Sequence, residues 1–159
     1  MSAAVGADAR LKELKIELPA PPKPVALYKT SLRIGNLLYV SGHGPYRPTP
    51  DAKVTGKVGA DLTLEQGKEA ARLVGINILA TVRAALGSLD KVQRLVKTLG
   101  MVNSAPGFSD HPKVINGFSE LMSDVFGPEA GVGARSAVGM AALPSQIAVE
   151  IECIFEVRG

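Results

Sequence analysis

Tryptophan is absent, aromatic side chains make up 4% of the 159 residues, and the only cysteine is Cys153. So few stacking side chains, with no basic stripe between them, argue against recognition of single-stranded nucleic acid. A lone cysteine rules out an internal disulfide and fits a reducing compartment. The only histidines, His43 and His111, are too few for a His-rich metal site or a His-based triad, and no Cys/His cluster has zinc spacing. No apolar run approaches the ~18 residues of a membrane span. Residues 1–18 lack an apolar signal core and carry Asp8, Glu13 and Glu17, so the expected location is cytoplasmic. P-loop, GxSxG and HExxH motifs are missing, and Gly131-Val132-Gly133 does not continue into a dinucleotide fingerprint.

What is present describes one globular domain. Hydrophobic residues make up 46% of the chain, and 18 Lys+Arg against 15 Asp+Glu leave a net charge of +3 without a concentrated basic run. Ala7, Leu11, Leu14 and Leu18 recur at helical spacing until Pro19, and Pro19-Ala20-Pro21-Pro22-Lys23-Pro24 is a stiff extended strap. Residues 1–24 are thus expected to precede a domain at 25–159. Tyr28–Ile34 and Leu37–Gly42 read as strands joined by a Gly35-Asn36 turn, and Pro45–Asp61 as an exposed loop. Thr63 and Gln66 form a capping box for a helix that runs through Ala71, Val74, Ile78 and Val82 to Gly87. Val92–Asn103 is a strand, and Ser109 or Asp110 caps a second helix whose stripe is Ile115, Phe118, Met122 and Val125. Ala134–Ala142 and Ile147–Arg158 are read as a closing hairpin connected by Leu143-Pro144-Ser145. In its second strand the odd residues from Ile147 to Val157 are apolar, while Glu150, Glu152 and Glu156 fall on the other face.

The order ββαβαββ predicts an α+β fold, a mixed sheet with two helices on one face. The bare opposite face, where apolar residues are mixed with charge, predicts an oligomer. Chemistry is most suggestive where Arg135 and Glu150 fall on the two strands of that closing hairpin. A guanidinium can grip a carboxylate through two parallel hydrogen bonds, and a nearby carboxylate can activate water. On residue types alone, solvated or ion-paired sheet charges are the commoner outcome of such a pattern.

Tyr28, Ile34-Gly35-Asn36-Leu37-Leu38, Val40-Ser41-Gly42, Ala134-Arg135-Ser136 and Leu143-Pro144 leading into Val149-Glu150-Ile151-Glu152 occur in that order. Together they resemble the RidA/YjgF family of enamine/imine deaminases, formerly endoribonuclease L-PSP, in a long-form subgroup. The resemblance implies a chorismate-mutase-like fold and a homotrimeric barrel with clefts between subunits. It also implies hydrolysis of small 2-imino acids to 2-oxo acids and ammonia, without metal or organic cofactor. By position, Arg135 would bind the substrate carboxylate and Glu150 would orient water. Tyr28, Ser41, Gly42 and Asn116 would line the cleft, with Tyr28 reaching across the interface. Ala137 stands where the family often has cysteine. Two other functions fit the same fold: a 2-oxo acid-binding or regulatory protein, and a ribonuclease, which the shortage of aromatic and histidine residues disfavours.

Overall fold

A computed structural model of the chain describes residues 5–159. Helix α1 (Ala7–Glu13) is followed by β1 (Ser31–Ile34), β2 (Leu37–His43), α2 (Leu64–Leu86), β3 (Val92–Asn103), α3 (His111–Phe126), β4 (Ala134–Met140) and β5 (Val149–Val157). Single 3-10 turns at Leu89–Lys91 and Pro144–Gln146 precede β3 and β5. The ββαβαββ order is as expected, and α2 and α3 cover one face of the sheet. No helix among the described residues is long and apolar enough to cross a membrane.

Local signals account for the helix boundaries. Thr63 Oγ1 accepts from Gln66 N at 3.1 Å while Gln66 Oε1 accepts from Thr63 N at 2.9 Å, and Gly87 ends α2 at φ 84°. Asp110 occupies the N-cap of α3, but its carboxylate pairs with Lys113 Nζ at 3.1 Å and leaves the cap bond unmade. Helix α1 stops earlier than its apolar spacing predicts. Ile16 N donates to Leu11 O and Lys15 N to Lys12 O, with Lys15 at φ 56°, a Schellman ending made by a lysine where glycine is usual. Ala7 and Leu11 are buried and Leu14 is exposed. Asp8 Oδ2 accepts from Ser88 Oγ and Leu89 N, which ties α1 to the turn before β3.

The closing hairpin is not formed. The strands lie in the order β1-β2-β5-β3-β4, with β3 parallel to β4 and antiparallel to β5, so β3 separates the strands that carry Arg135 and Glu150. Two physical reasons apply. Helix α3 is a crossover between β3 and β4, and a crossover delivers a parallel strand. The strictly alternating β5, whose inward residues Val149, Ile151, Cys153, Phe155 and Val157 are all buried, belongs at the sheet centre, while the more exposed β4 belongs at its edge.

The segment 45–61 is more than a surface loop. Val54 and Val58 enter the core, Thr55 bridges to Ile147, and Val58 bridges to Leu62 and Ser104. The first strand is shorter than expected, beginning at Ser31 after bends at residues 25–28.

The core lies between the helices and the inner face of the sheet, with Ile78, Val82, Ile115, Phe118 and Met122 meeting Leu38, Val40, Ile151 and Phe155. At Gly117 the helices touch through backbone: a Cβ there would collide with the carbonyl oxygen of Lys68 in α2. Gly117→Ala should gain about 1 kcal/mol in helix propensity and lose about 1–3 kcal/mol to forced separation of α2 and α3. A net lowering of the urea midpoint is expected, and an unchanged or raised midpoint would contradict this packing. On the uncovered face, Leu32, Ile34, Tyr39 and Val138 are exposed.

Candidate functional site

The predicted site residues divide into two groups that one chain cannot bring together. Arg135 opens the edge strand β4, and its guanidinium turns toward α3. Nη1 donates to Asn116 Oδ1 at 2.9 Å and to Ser119 Oγ at 3.1 Å, and Nη2 donates to the Pro112 carbonyl at 3.3 Å. Residues 112, 116 and 119 share one face of α3, beside its apolar stripe. Among the described residues these bonds occupy three of the five guanidinium donors and leave Nε–H and one Nη2–H, on nitrogens that share the guanidinium carbon. No carboxylate among the described residues pairs with Arg135. Neutral acceptors therefore orient the cation without neutralising it, and Arg135 is neither ion-paired nor a freely solvated sheet charge. Thr98, Asn116, Ser119 and the Gly131–Gly133 loop form the cleft around it.

Glu150 projects from the opposite, uncovered face. It lines a groove with Tyr28, Ser41, Gly42, Gly44, Pro144, Ser145, Ile147 and Glu152. Its carboxylate lies over Gly42, where a Cβ would meet Glu150 Oε1, so a side chain at position 42 would push the carboxylate out of this position. Burial, and then the neighbouring Glu152 carboxylate, hold Glu150 above the ordinary value of 4.5. Tyr28 is half exposed at the rim. The Ser41 hydroxyl donates to Lys29 O at 2.5 Å and keeps its lone pairs as acceptors. Ser145 and Gln146 close the groove in left-handed backbone at φ 54° and 55°. Gly56 N donates to Gln146 O at 2.8 Å, so the 45–61 segment supports this turn.

In the sheet register Arg135 is opposite Thr98 and Glu150 opposite Met101. With strands ~4.8 Å apart and a rise of ~3.3 Å per residue, their backbones lie roughly 14 Å apart, and their side chains leave opposite faces. Tyr28, Ser41 and Gly42 belong with Glu150, and Asn116 belongs with Arg135. Reading from sequence missed Ser119 and the Pro112 carbonyl, although their spacing from Asn116 on α3 was a usable signal. His43, two residues beyond Ser41, is buried on the helix side. Cys153 is buried on the inward, apolar face of β5, and burial, then the neighbouring Glu152 carboxylate, push the thiol well above its ordinary value. Among the described residues no three His, Cys, Asp or Glu side chains gather as a metal site would require.

The family model described as "YjgF/chorismate_mutase-like, putative endoribonuclease" matches residues 8–153. Protein TCP17 of Trypanosoma cruzi is 42% identical to this chain, over 94% of it and 93% of that protein. A 2-iminobutanoate/2-iminopropanoate deaminase of Dermatophagoides farinae is 29% identical, over 87% of this chain and 92% of its own length. A solved structure of a protein of unknown function from Agrobacterium tumefaciens is 44% identical and superposes with a TM-score of 0.86, over 96% of this chain and 92% of that one. A family match over nearly the whole chain, together with relatives that align along almost their full length and share its fold, makes this chain a member of the RidA/YjgF family.

Proposed function

We propose that the protein hydrolyses small 2-imino acids to 2-oxo acids and ammonia in clefts formed between copies of itself. The observation that carries this reading is the state of Arg135: a guanidinium oriented by three neutral acceptors, with adjacent donors uncommitted. Such a group is suited to a carboxylate arriving from solution. Similarity to the 2-iminobutanoate/2-iminopropanoate deaminase of Dermatophagoides farinae supports the same substrate class.

In this reading Arg135 and Asn116 of one copy meet Glu150, Tyr28, Ser41 and Gly42 of the next, which makes the exposed apolar sheet face an inter-subunit surface. A homotrimer closes the arrangement. Arg135 fixes the substrate by its carboxylate. Glu150, as carboxylate, takes a proton from a water molecule whose oxygen bonds to the imine carbon. The C=N electron pair moves to nitrogen, which takes that proton back from Glu150 and gives a carbinolamine. The carbinolamine hydroxyl then loses its proton to Glu150, nitrogen takes it up, and the C–N bond breaks with ammonia leaving as the C=O bond forms. Water and imine give 2-oxo acid and ammonia. An imine carbon is already electrophilic, so positioning and one base suffice.

A binding protein for 2-oxo acids would use Arg135 in the same way and make no demand on Glu150. The deciding experiment measures ammonia and 2-oxo acid release from enzymatically generated 2-iminopropanoate and bulkier imines. Acceleration is expected; none with any imine would overturn the hydrolase and favour the binder. Light scattering should give three times the 16.6 kDa chain mass. A stable monomer would remove the shared cleft.

A further inference from the structure

Near the end of β2, Val40 is opposite Cys153 and His43 is opposite Ile151, so Ser41 and Gly42 together face Glu152 alone. This is a β-bulge, and its extra residue inverts the alternation beyond it. Plain alternation would aim Tyr39, Ser41 and His43 at the same face. The bulge instead keeps Ser41 and Gly42 on the groove side and turns His43 inward against α2, where it is 5% exposed.

His43 is bonded at both ring nitrogens. Nδ1 lies 2.6 Å from the Ser41 carbonyl oxygen, and Nε2 lies 2.8 Å from Thr81 Oγ1. A carbonyl only accepts, so Nδ1–H donates to Ser41, and in the neutral ring Nε2 accepts from the Thr81 hydroxyl. Burial favours that neutral ring by holding His43 below 6.5. The contact continues down the same helix face in steps of four residues. Asn77 Nδ2 donates to Gly44 O at 3.2 Å, and Tyr46 N donates to Leu73 O at 3.3 Å. Helix α2 thus takes up segment 43–46 with hydrogen bonds as it leaves β5.

We propose that His43 is a positioning residue for the candidate site: anchored by Thr81, it clamps the Ser41 carbonyl and fixes the bulge that sets the bare backbone of Gly42 beneath the Glu150 carboxylate. The kinetic part of this proposal rests on the imine-hydrolysis reading. His43 touches neither substrate nor water and acts through the backbone of Ser41 and Gly42.

Three variants test it in the assembled protein. Thr81→Val keeps the side-chain shape and removes the hydroxyl. His43→Leu removes both ring nitrogens, and His43→Gln restores one donor and one acceptor. In Thr81→Val and His43→Leu, kcat with 2-iminopropanoate should fall by roughly tenfold to a hundredfold, the size of effect that a small misplacement of a reacting group produces. KM should stay nearly constant, because Arg135 on the neighbouring copy is untouched, and His43→Gln should recover most of kcat.

A second readout needs no turnover. Titration of the Glu150 carboxyl by carbon-13 NMR should give a midpoint above 4.5 in the wild type, shifting toward 4.5 in Thr81→Val as the loosened bulge admits water. A folded Thr81→Val protein with wild-type kcat and a wild-type Glu150 titration would overturn the proposal, whether or not His43→Leu folds. If the wild type hydrolyses no imine, the hydrolase reading falls while the Glu150 titration still decides the role of His43.

Discussion

Arg135→Ala, purified as an intact assembly, should hydrolyse 2-iminopropanoate with kcat/KM lowered about a hundredfold or more. Each charged hydrogen bond to substrate contributes about 1.5–3 kcal/mol, and in the proposed reaction the two remaining donors of Arg135 would supply two of them. The fold should survive. The partners left behind, Asn116 Oδ1 and Ser119 Oγ in the cleft and the Pro112 carbonyl beside it, are neutral acceptors, and water can replace the guanidinium. Arg135→Lys should recover only part of the loss, because an ammonium restores charge without the planar pair of donors. Ammonia release at several substrate concentrations, with thermal unfolding as a control, checks the result. Wild-type turnover in Arg135→Ala would remove the residue from the mechanism.

The second large effect is expected at Glu150. Glu150→Gln keeps size and polarity but cannot accept the proton of water, and loss of a general base lowers kcat by about 10²–10⁴-fold. KM should change little, since in the proposed cleft the carboxylate grip would come from the neighbouring copy. Because Glu150 sits above 4.5 in the folded protein, the acid limb of the wild-type pH profile should also lie above 4.5 and be lost in Glu150→Gln. The sign for stability follows from the same shift. The folded state holds the Glu150 proton more tightly than the unfolded chain, so stability falls as pH rises through the window above 4.5, and Glu150→Gln should remove that slope.

The opposed faces of Arg135 and Glu150 allow a sharper test. Arg135→Ala and Glu150→Gln chains, each inactive alone, should regain activity when co-expressed. In a closed ring of three where each site takes Arg135 from one copy and Glu150 from the next, random mixing makes about one quarter of the sites intact. Mixed assemblies with no recovered activity would mean that no site is shared between copies.

Much of the fold was legible because its signals are local. The Thr63/Gln66 capping box, Gly87, the Gly35-Asn36 turn and the alternation in β5 each depend on neighbours within a few residues, and each appears as read. The placement of β4 and β5 was not legible, because adjacency in sequence favours a hairpin. Only the crossover geometry of α3 and the burial demand of β5 send β4 to the far side of β3. For the candidate site, residue types could be read but not directions. Two-residue alternation separates inward from outward only while pairing is regular, and one extra residue at Ser41-Gly42 reverses His43. The valines in the 45–61 segment were hidden for a related reason: two isolated apolar residues among prolines and glycines carry no period to detect.

The parallel pairing that holds Arg135 at the margin also leaves β4 with one backbone edge open. The seven residues Ala134–Met140 contain no proline and no lysine, and their only charge, Arg135, is turned toward α3 instead of guarding the edge. Exposed strands of this kind are templates for indiscriminate pairing and aggregation, and proteins ordinarily blunt them with charge, bulges or cover. In the proposed trimer that protection would come from the assembly itself. A lone, newly made copy would be the aggregation-prone species, so fast association after synthesis would serve solubility before it served catalysis.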